Sequence, residues 1–349
     1  MSHRYRRFFA LTLLGSSITG CGAESGDPAL LPLPTSPSCV RECASVAAAG
    51  HEPRMLAVGK DRIYWTTLTK GIGTVQSAPL GGGEAQEIAS FEAESISRIA
   101  LDSAHVYWTE SRQSGALRRA LLDGGSKETL ADGIQLLGSL VVDDESVYFT
   151  SFDRGCIAKV PLAGGQVTTM SELCPDTSHF LGALQAVDDD QIYVATSFFD
   201  ASTVWTVPLG EGGPRELPSI DGELRGFAAG PEAVYLTVLS NPPLDWDGRT
   251  ESSAWMIPKT GTDAPSKVTV LQKASGIAAD ESGVYFTDAG EGTLLRASLD
   301  GTSLETLASG LDTPTWVALD AGHVYWSHWT AAGKKPTISR MPKGPSSPE

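Results

Sequence analysis

Gly276-Ile277-Ala278-Ala279-Asp280-Glu281-Ser282-Gly283-Val284-Tyr285-Phe286-Thr287-Asp288 reads as a β-strand, a tight turn and a second strand. Versions of this stretch recur along the chain. Beyond the extreme N-terminus every tyrosine lies in a copy: Tyr64, Tyr107, Tyr148, Tyr193, Tyr235, Tyr285 and Tyr325. Five residues ahead of each stands Gly59, Asp102, Asp143, Asp188, Gly230, Asp280 or Asp320. A unit repeating at roughly 40–50 residues is the signature of a propeller or a stacked array, so the repeat is read before any single motif.

Each copy belongs to a unit of four apolar segments. The first two flank the turn. The third ends in a hairpin signal such as Leu122-Asp123-Gly124-Gly125, Pro161-Leu162-Ala163-Gly164-Gly165 or Leu299-Asp300-Gly301, and the fourth follows it. In the tyrosine strand a valine or isoleucine precedes the tyrosine, and in most copies Trp, Phe or Leu follows it (Trp65, Trp108, Phe149, Leu236, Phe286, Trp326). Side chains alternate faces along a strand, so the tyrosine takes one face and its two neighbours the other. Both faces of the sheet are then apolar, and both must be covered. A closed ring of sheets does this.

The seventh repeat runs out after its third strand, near Met341-Pro342-Lys343-Gly344-Pro345. Residues 43–55 align without a gap on 304–316, so the missing strand lies at the other end of the chain. The fold expected is all-β: a seven-bladed β-propeller of four-stranded antiparallel blades, its ring closed by an N-terminal outer strand in the last blade. A six-bladed ring is the competing count. This closure leaves no outer strand of the last blade unmade.

Tyr64-Trp65-Thr66-Thr67, Tyr107-Trp108-Thr109-Glu110 and Tyr285-Phe286-Thr287-Asp288 resemble the YWTD repeats of low-density-lipoprotein-receptor-type propellers. The pattern is also similar to bacterial propellers of the NHL and TolB-like kind. It covers about 43–343, but the final Asp position elsewhere holds Thr67, Glu110, Ser151, Thr196, Val238 or His328. Those receptor propellers usually have six blades. The resemblance implies the fold and says little about partners.

The 349-residue chain is 41% hydrophobic with 37 glycines, as suits a turn-rich soluble fold, and its net charge is −16. Such an acidic body repels phosphate backbones, so no nucleic-acid partner is expected. The first residues depart from this balance. His3-Arg4-Tyr5-Arg6-Arg7 is followed by an apolar run from Phe8 to Ile18, too short to span a bilayer and right for a signal peptide. It ends in Ile18-Thr19-Gly20-Cys21, which resembles the lipobox of bacterial lipoproteins. The resemblance implies diacylglycerol on Cys21, a firm membrane anchor through several acyl chains, and, with Gly22 following, the outer membrane. Pro28, Pro32, Pro34 and Pro37 mark an extended tether. The expected organisation is 1–20 lipoprotein signal peptide, 21–38 tether, 39–344 propeller and 345–349 disordered tail.

Export permits disulfides among the other four cysteines. Cys156 and Cys174 flank the Gly164-Gly165 turn and face one another within about one residue of register. Cys39 and Cys43 cannot bridge within an extended strand; if they pair, the chain turns there and the closing strand starts after Cys43. Without clustered histidines or a Cys-x-x-Cys, no metal site and no cofactor is expected.

Ligand candidates fall at the start of the inner strands. Arg54, Arg98, Arg225 and Trp316 lie near one rim, where guanidinium forks hold a carboxylate or another anion, unless they pair with nearby Asp and Glu. One position further in, Leu56, Ile99, Leu140, Gln185, Phe227, Ile277 and Val317 are mostly apolar and offer no converging metal ligands. Residues 239–254 form a long insertion in which Asp245, Trp246 and Asp247 set an aromatic between carboxylates, suited to a sugar face or a partner's backbone. Asp143-Asp144 and Asp188-Asp189-Asp190 are read as solvated turn residues. No catalytic constellation is assigned. The functional expectation is a lipid-anchored, monomeric extracytoplasmic binding or scaffold protein that recognises a protein, glycan or anionic ligand at its rim. The alternative is a lyase or lactonase-like hydrolase on the same fold, with His51, His179 or His328 beside carboxylates.

Overall fold

The computed structural model describes residues 38–111, 115–134, 137–151, 156–171, 180–188, 190–198, 201–239, 251–329 and 335–344. Its strands form seven antiparallel sheets that follow one another along the chain: 54–92, 95–134, 137–171, 180–221, 223–271, 274–309 and 314–342. Each sheet, or blade, is laid down from the inside outwards. The seven inner strands abut in chain order, and the last, Pro314–Leu319, returns to the first, Arg54–Val58. The seven-bladed propeller is therefore present, and the six-bladed count is excluded.

Closure follows the expected route. Ala44–Ala48 is the outer strand of blade 7, with Ala44 opposite Arg340 and Ala48 opposite Thr337. Just before it the chain also adds a short strand to blade 6, Ser38–Cys39 against Ser309 and Ala308. Between these strands Cys39 and Cys43 form a disulfide with their Cα atoms 6.1 Å apart. The chain turns within that bridge and the closing strand starts at Ala44. From the other terminus, the buried Lys343 ammonium contacts Asp280 of blade 6 and lies 5.7 Å from the Tyr285 ring centre.

The core is divided into seven clusters, one per interface between blades. Each takes a tyrosine from one blade and the flanking pair from the next: Tyr64 with Val106 and Trp108, Tyr107 with Val147 and Phe149, Tyr148 with Ile192 and Val194. The series ends with Tyr325 packing on Ile63 and Trp65, which seals blade 7 to blade 1. Strand alternation alone produces this arrangement.

In blades 2, 3 and 7 the aspartate five before the tyrosine fixes the turn between them. Asp102 accepts backbone N–H bonds from Ala104 and His105, both at 2.6 Å, and the Tyr107 hydroxyl donates to its other oxygen at 2.5 Å. Asp320 does the same toward Gly322, His323 and Tyr325. So does Asp143 toward Glu145, Ser146 and Tyr148, which corrects its reading as a solvated residue: its carboxylate is fully engaged in its own turn. Where glycine replaces the aspartate, the ring occupies the vacated space. A Cβ on Gly230 would stand 2.8 Å from the Tyr235 ring. The hydroxyl then reaches the next blade, Tyr64 donating to the Leu122 carbonyl and Tyr235 to that of Leu299.

Candidate functional site

Every inner strand breaks its ladder at the same place. In blade 1, Arg54 opposes Thr66 and Leu56 opposes Trp65, so Met55 is an extra residue. The same slip leaves Arg225 extra in blade 5 and Ser275 in blade 6. In blades 2 and 7, Ser97-Arg98 and Thr315-Trp316 stand as pairs against one residue of the neighbouring strand. These are β-bulges, which kink a strand and re-aim its side chains. Met55 adopts φ 44°, a left-handed conformation that is costly for a side chain of this size.

A bulge frees backbone groups from the ladder, and in blades 1, 6 and 7 the residue two after the tyrosine takes them up. The Thr66 hydroxyl donates to the Arg54 carbonyl at 3.1 Å. Thr287 accepts from Gly276 N–H at 2.8 Å and donates across the blade interface to the Thr315 carbonyl. Ser327 accepts from Trp316 N–H at 3.1 Å. These hydroxyls are buried in otherwise apolar strands. Their neighbours must be small: a Cβ on Gly226 would stand 2.7 Å from the Thr237 hydroxyl. The threonine or serine two after the tyrosine, present in every repeat but the fourth, was missed as a determinant of the site. Its signal was a polar residue at a fixed place in a strand that is apolar on both faces.

The bulges of blades 1, 2, 5, 6 and 7 meet at one mouth of the central channel around a cavity of about 80 Å3. Met55, Arg98, Arg225, Ser275 and Trp316 form its walls. Ile99, Phe227 and Ile277, all buried, line it as well. The candidates Arg98, Arg225 and Trp316 are thus brought together.

Their charges are not equivalent. Arg225 is exposed and pairs with Glu223 at 3.3 Å. Arg54 pairs with Glu52 at 3.8 Å and does not line the cavity, because the bulge at Met55 intervenes. Both behave as solvated ion pairs of small energetic consequence. Arg98 differs. No hydrogen bond or ion pair joins its guanidinium to any described residue, and burial pulls its pKa from the usual arginine range down to about 10. Arg98 keeps intermediate exposure and borders the cavity. A cation partly withdrawn from water with no partner among the described residues is costly for a fold to keep.

The remaining candidates are dispersed. Asp245, Trp246 and Asp247 lie outside the described residues, as do Cys21, Cys174, His179 and the side chain of Cys156. His51 is exposed. His328 is buried against Trp326, lies 3.1 Å from the Ser339 hydroxyl, and is held below the usual histidine range by burial. Among the described residues no three His, Cys, Asp or Glu side chains converge as metal ligands.

No protein-family model and no curated protein matches the sequence. Solved structures match in three dimensions. The WD40 repeats of RRP9 superpose with a TM-score of 0.60 at 11% identity, over 86% of this chain and 99% of that one. The β-propeller domain of the Trilobed protease from Pyrococcus furiosus gives 0.58 at 11%, over 85% and 99%. A chain of a nidogen/laminin complex gives 0.51 at 15%, over 73% and 93%. At such identities the likeness is one of fold, and with its own strand order it makes this chain a β-propeller.

Proposed function

We propose that this protein is a binding protein of the cell envelope, held to a membrane by lipid on Cys21 and taking an anionic ligand, free or presented by a protein or glycan partner, at the channel mouth around Arg98. The observation that carries this reading is the unpaired Arg98 guanidinium facing a cavity. A cation placed in this way is stabilised by a ligand that brings the opposite charge, and no described residue uses its hydrogen-bonding fork. Glu223, Leu239 and Ser252 are register neighbours in blade 5. Leu239 and Ser252, the described residues on either side of Asp245, Trp246 and Asp247, thus lie at the end of blade 5 that bears Arg225, and we assign those three residues to partner contact. The described histidines supply no catalytic group at this mouth, so the hydrolase reading stands second.

Thermal unfolding of the full chain in detergent, against a panel of carboxylates, phosphate and sulfate, tests the site. Ligand at a hundredfold excess over Kd adds about 2.7 kcal/mol to stability. At least one anion is expected to raise the midpoint in the parent and not in Arg98→Ala. A panel without effect, or a shift that persists in the variant, refutes a site at Arg98. The anchor is tested separately by labelled palmitate incorporation, expected in the parent and absent from Cys21→Ser.

A further inference from the structure

The charge balance, size and walls of the cavity narrow the anion further. Resting on the reading above, we infer that the channel mouth holds a monoanionic carboxylate carried on a short aliphatic stem.

Charge comes first. Arg98 is the cation within the cavity that lacks a partner, while Arg225 at the rim is already matched by Glu223. One carboxylate balances one guanidinium. A dianionic phosphate or sulfate would leave a negative charge in a cavity lined by the buried Ile99, Phe227 and Ile277, with the Glu223 carboxylate already on Arg225 and a net charge of −16 on the whole chain. Excess charge in surroundings of low dielectric is strongly disfavoured. The planar guanidinium also matches a planar carboxylate with two parallel N–H bonds.

Size agrees. A cavity of about 80 Å3 holds about six water-sized groups at about 10–15 Å3 each. A carboxylate with two or three methylenes has that many heavy atoms, whereas a sugar ring or a nucleotide has about twice as many or more. The walls agree as well. Met55 and the Trp316 indole line the cavity beside Arg98 and offer apolar surface to methylenes, which a sulfate would leave unused.

This chemistry has two sources: a small free acid, or a polypeptide presenting a glutamate side chain or its C-terminus. Titration calorimetry on the full chain distinguishes them. The probes are acetate, butyrate, phosphate and sulfate, together with short peptides bearing a glutamate, a free C-terminus or an amidated one. Butyrate is expected to bind more tightly than acetate, phosphate or sulfate. Arg98→Ala is expected to weaken it roughly 10- to 100-fold, the value of charge-assisted hydrogen bonds. Peptides that bind only with a free carboxylate identify a polypeptide source; butyrate binding without peptide binding identifies a free acid, and either supports the carboxylate site. Phosphate or sulfate binding through Arg98 at least as tightly as butyrate overturns the carboxylate class and leaves the anion reading standing. Absence of any Arg98-dependent binding overturns both. Arg98→Met, which fills the same space without charge, guards against misfolding: it is expected to melt no lower than the parent while losing butyrate. If it melts markedly lower, Arg98 is a structural residue and the inference fails.

Discussion

An aspartate–tyrosine pair five residues apart fixes the turn between the two innermost strands of blades 2, 3 and 7. Burial alone would raise the Asp102 and Asp320 carboxyls. Hydrogen bonds from Tyr107 or Tyr325 and from two backbone N–H groups outweigh it and hold both below the usual carboxylate range. A carboxylate depressed in the folded state adds stability above its unfolded pKa of about 3.9, and that stability is lost as pH falls through the folded value. Denaturant unfolding across pH is therefore expected to give a shallower acid limb in the Asp102→Asn, Asp320→Asn double variant than in the parent. Equal slopes below about pH 4 would show that the pairs carry no proton linkage.

At the scale of the strand, the repeated bulge joins fold to site. The Thr287 hydroxyl serves Gly276 N–H in its own blade and the Thr315 carbonyl in the next, so it fixes two inner strands at once. Thr287→Val keeps the shape and removes the hydroxyl, leaving a buried N–H without a partner. The expected loss is about 1–3 kcal/mol, read by denaturant unfolding, with the m-value unchanged. A loss within error of zero would mean that the bulge holds itself without the hydroxyl.

The whole ring depends on a strand from its far end. Ala44–Ala48 completes blade 7, while the Cys39–Cys43 bridge and the short Ser38–Cys39 strand tie that segment to blade 6. These contributions are separable. Opening a five-residue disulfide loop by Cys39→Ser with Cys43→Ser is expected to cost about 2 kcal/mol from loop entropy. Deleting 38–48 instead exposes the edge of Thr337–Pro342 and removes Val46 and Ala47, which uncovers Trp65 and Tyr325. The deletion is expected to abolish the cooperative transition seen in calorimetry. A cooperative melt within a few degrees of the parent would show that the ring closes without this strand.

The sequence by itself determined the number of blades, the faces of each tyrosine strand and the strand that closes the ring, because strand alternation and repetition are local patterns that survive without coordinates. It also placed Arg98, Arg225 and Trp316 at a common rim, since equivalent positions of a repeat come to equivalent places in a ring. Only the tertiary structure decided what these residues do there. The ladder slip in the inner strands, and the hydroxyl that sustains it in blades 1, 6 and 7, depend on partners in another strand and, for Thr287, in another blade. Which arginines are neutralised was equally hidden: Arg54 and Arg225 find carboxylates two residues away, whereas Arg98 is enclosed without one. Whether a cation is paired is a property of the space around it, and that space exists only once the ring has closed.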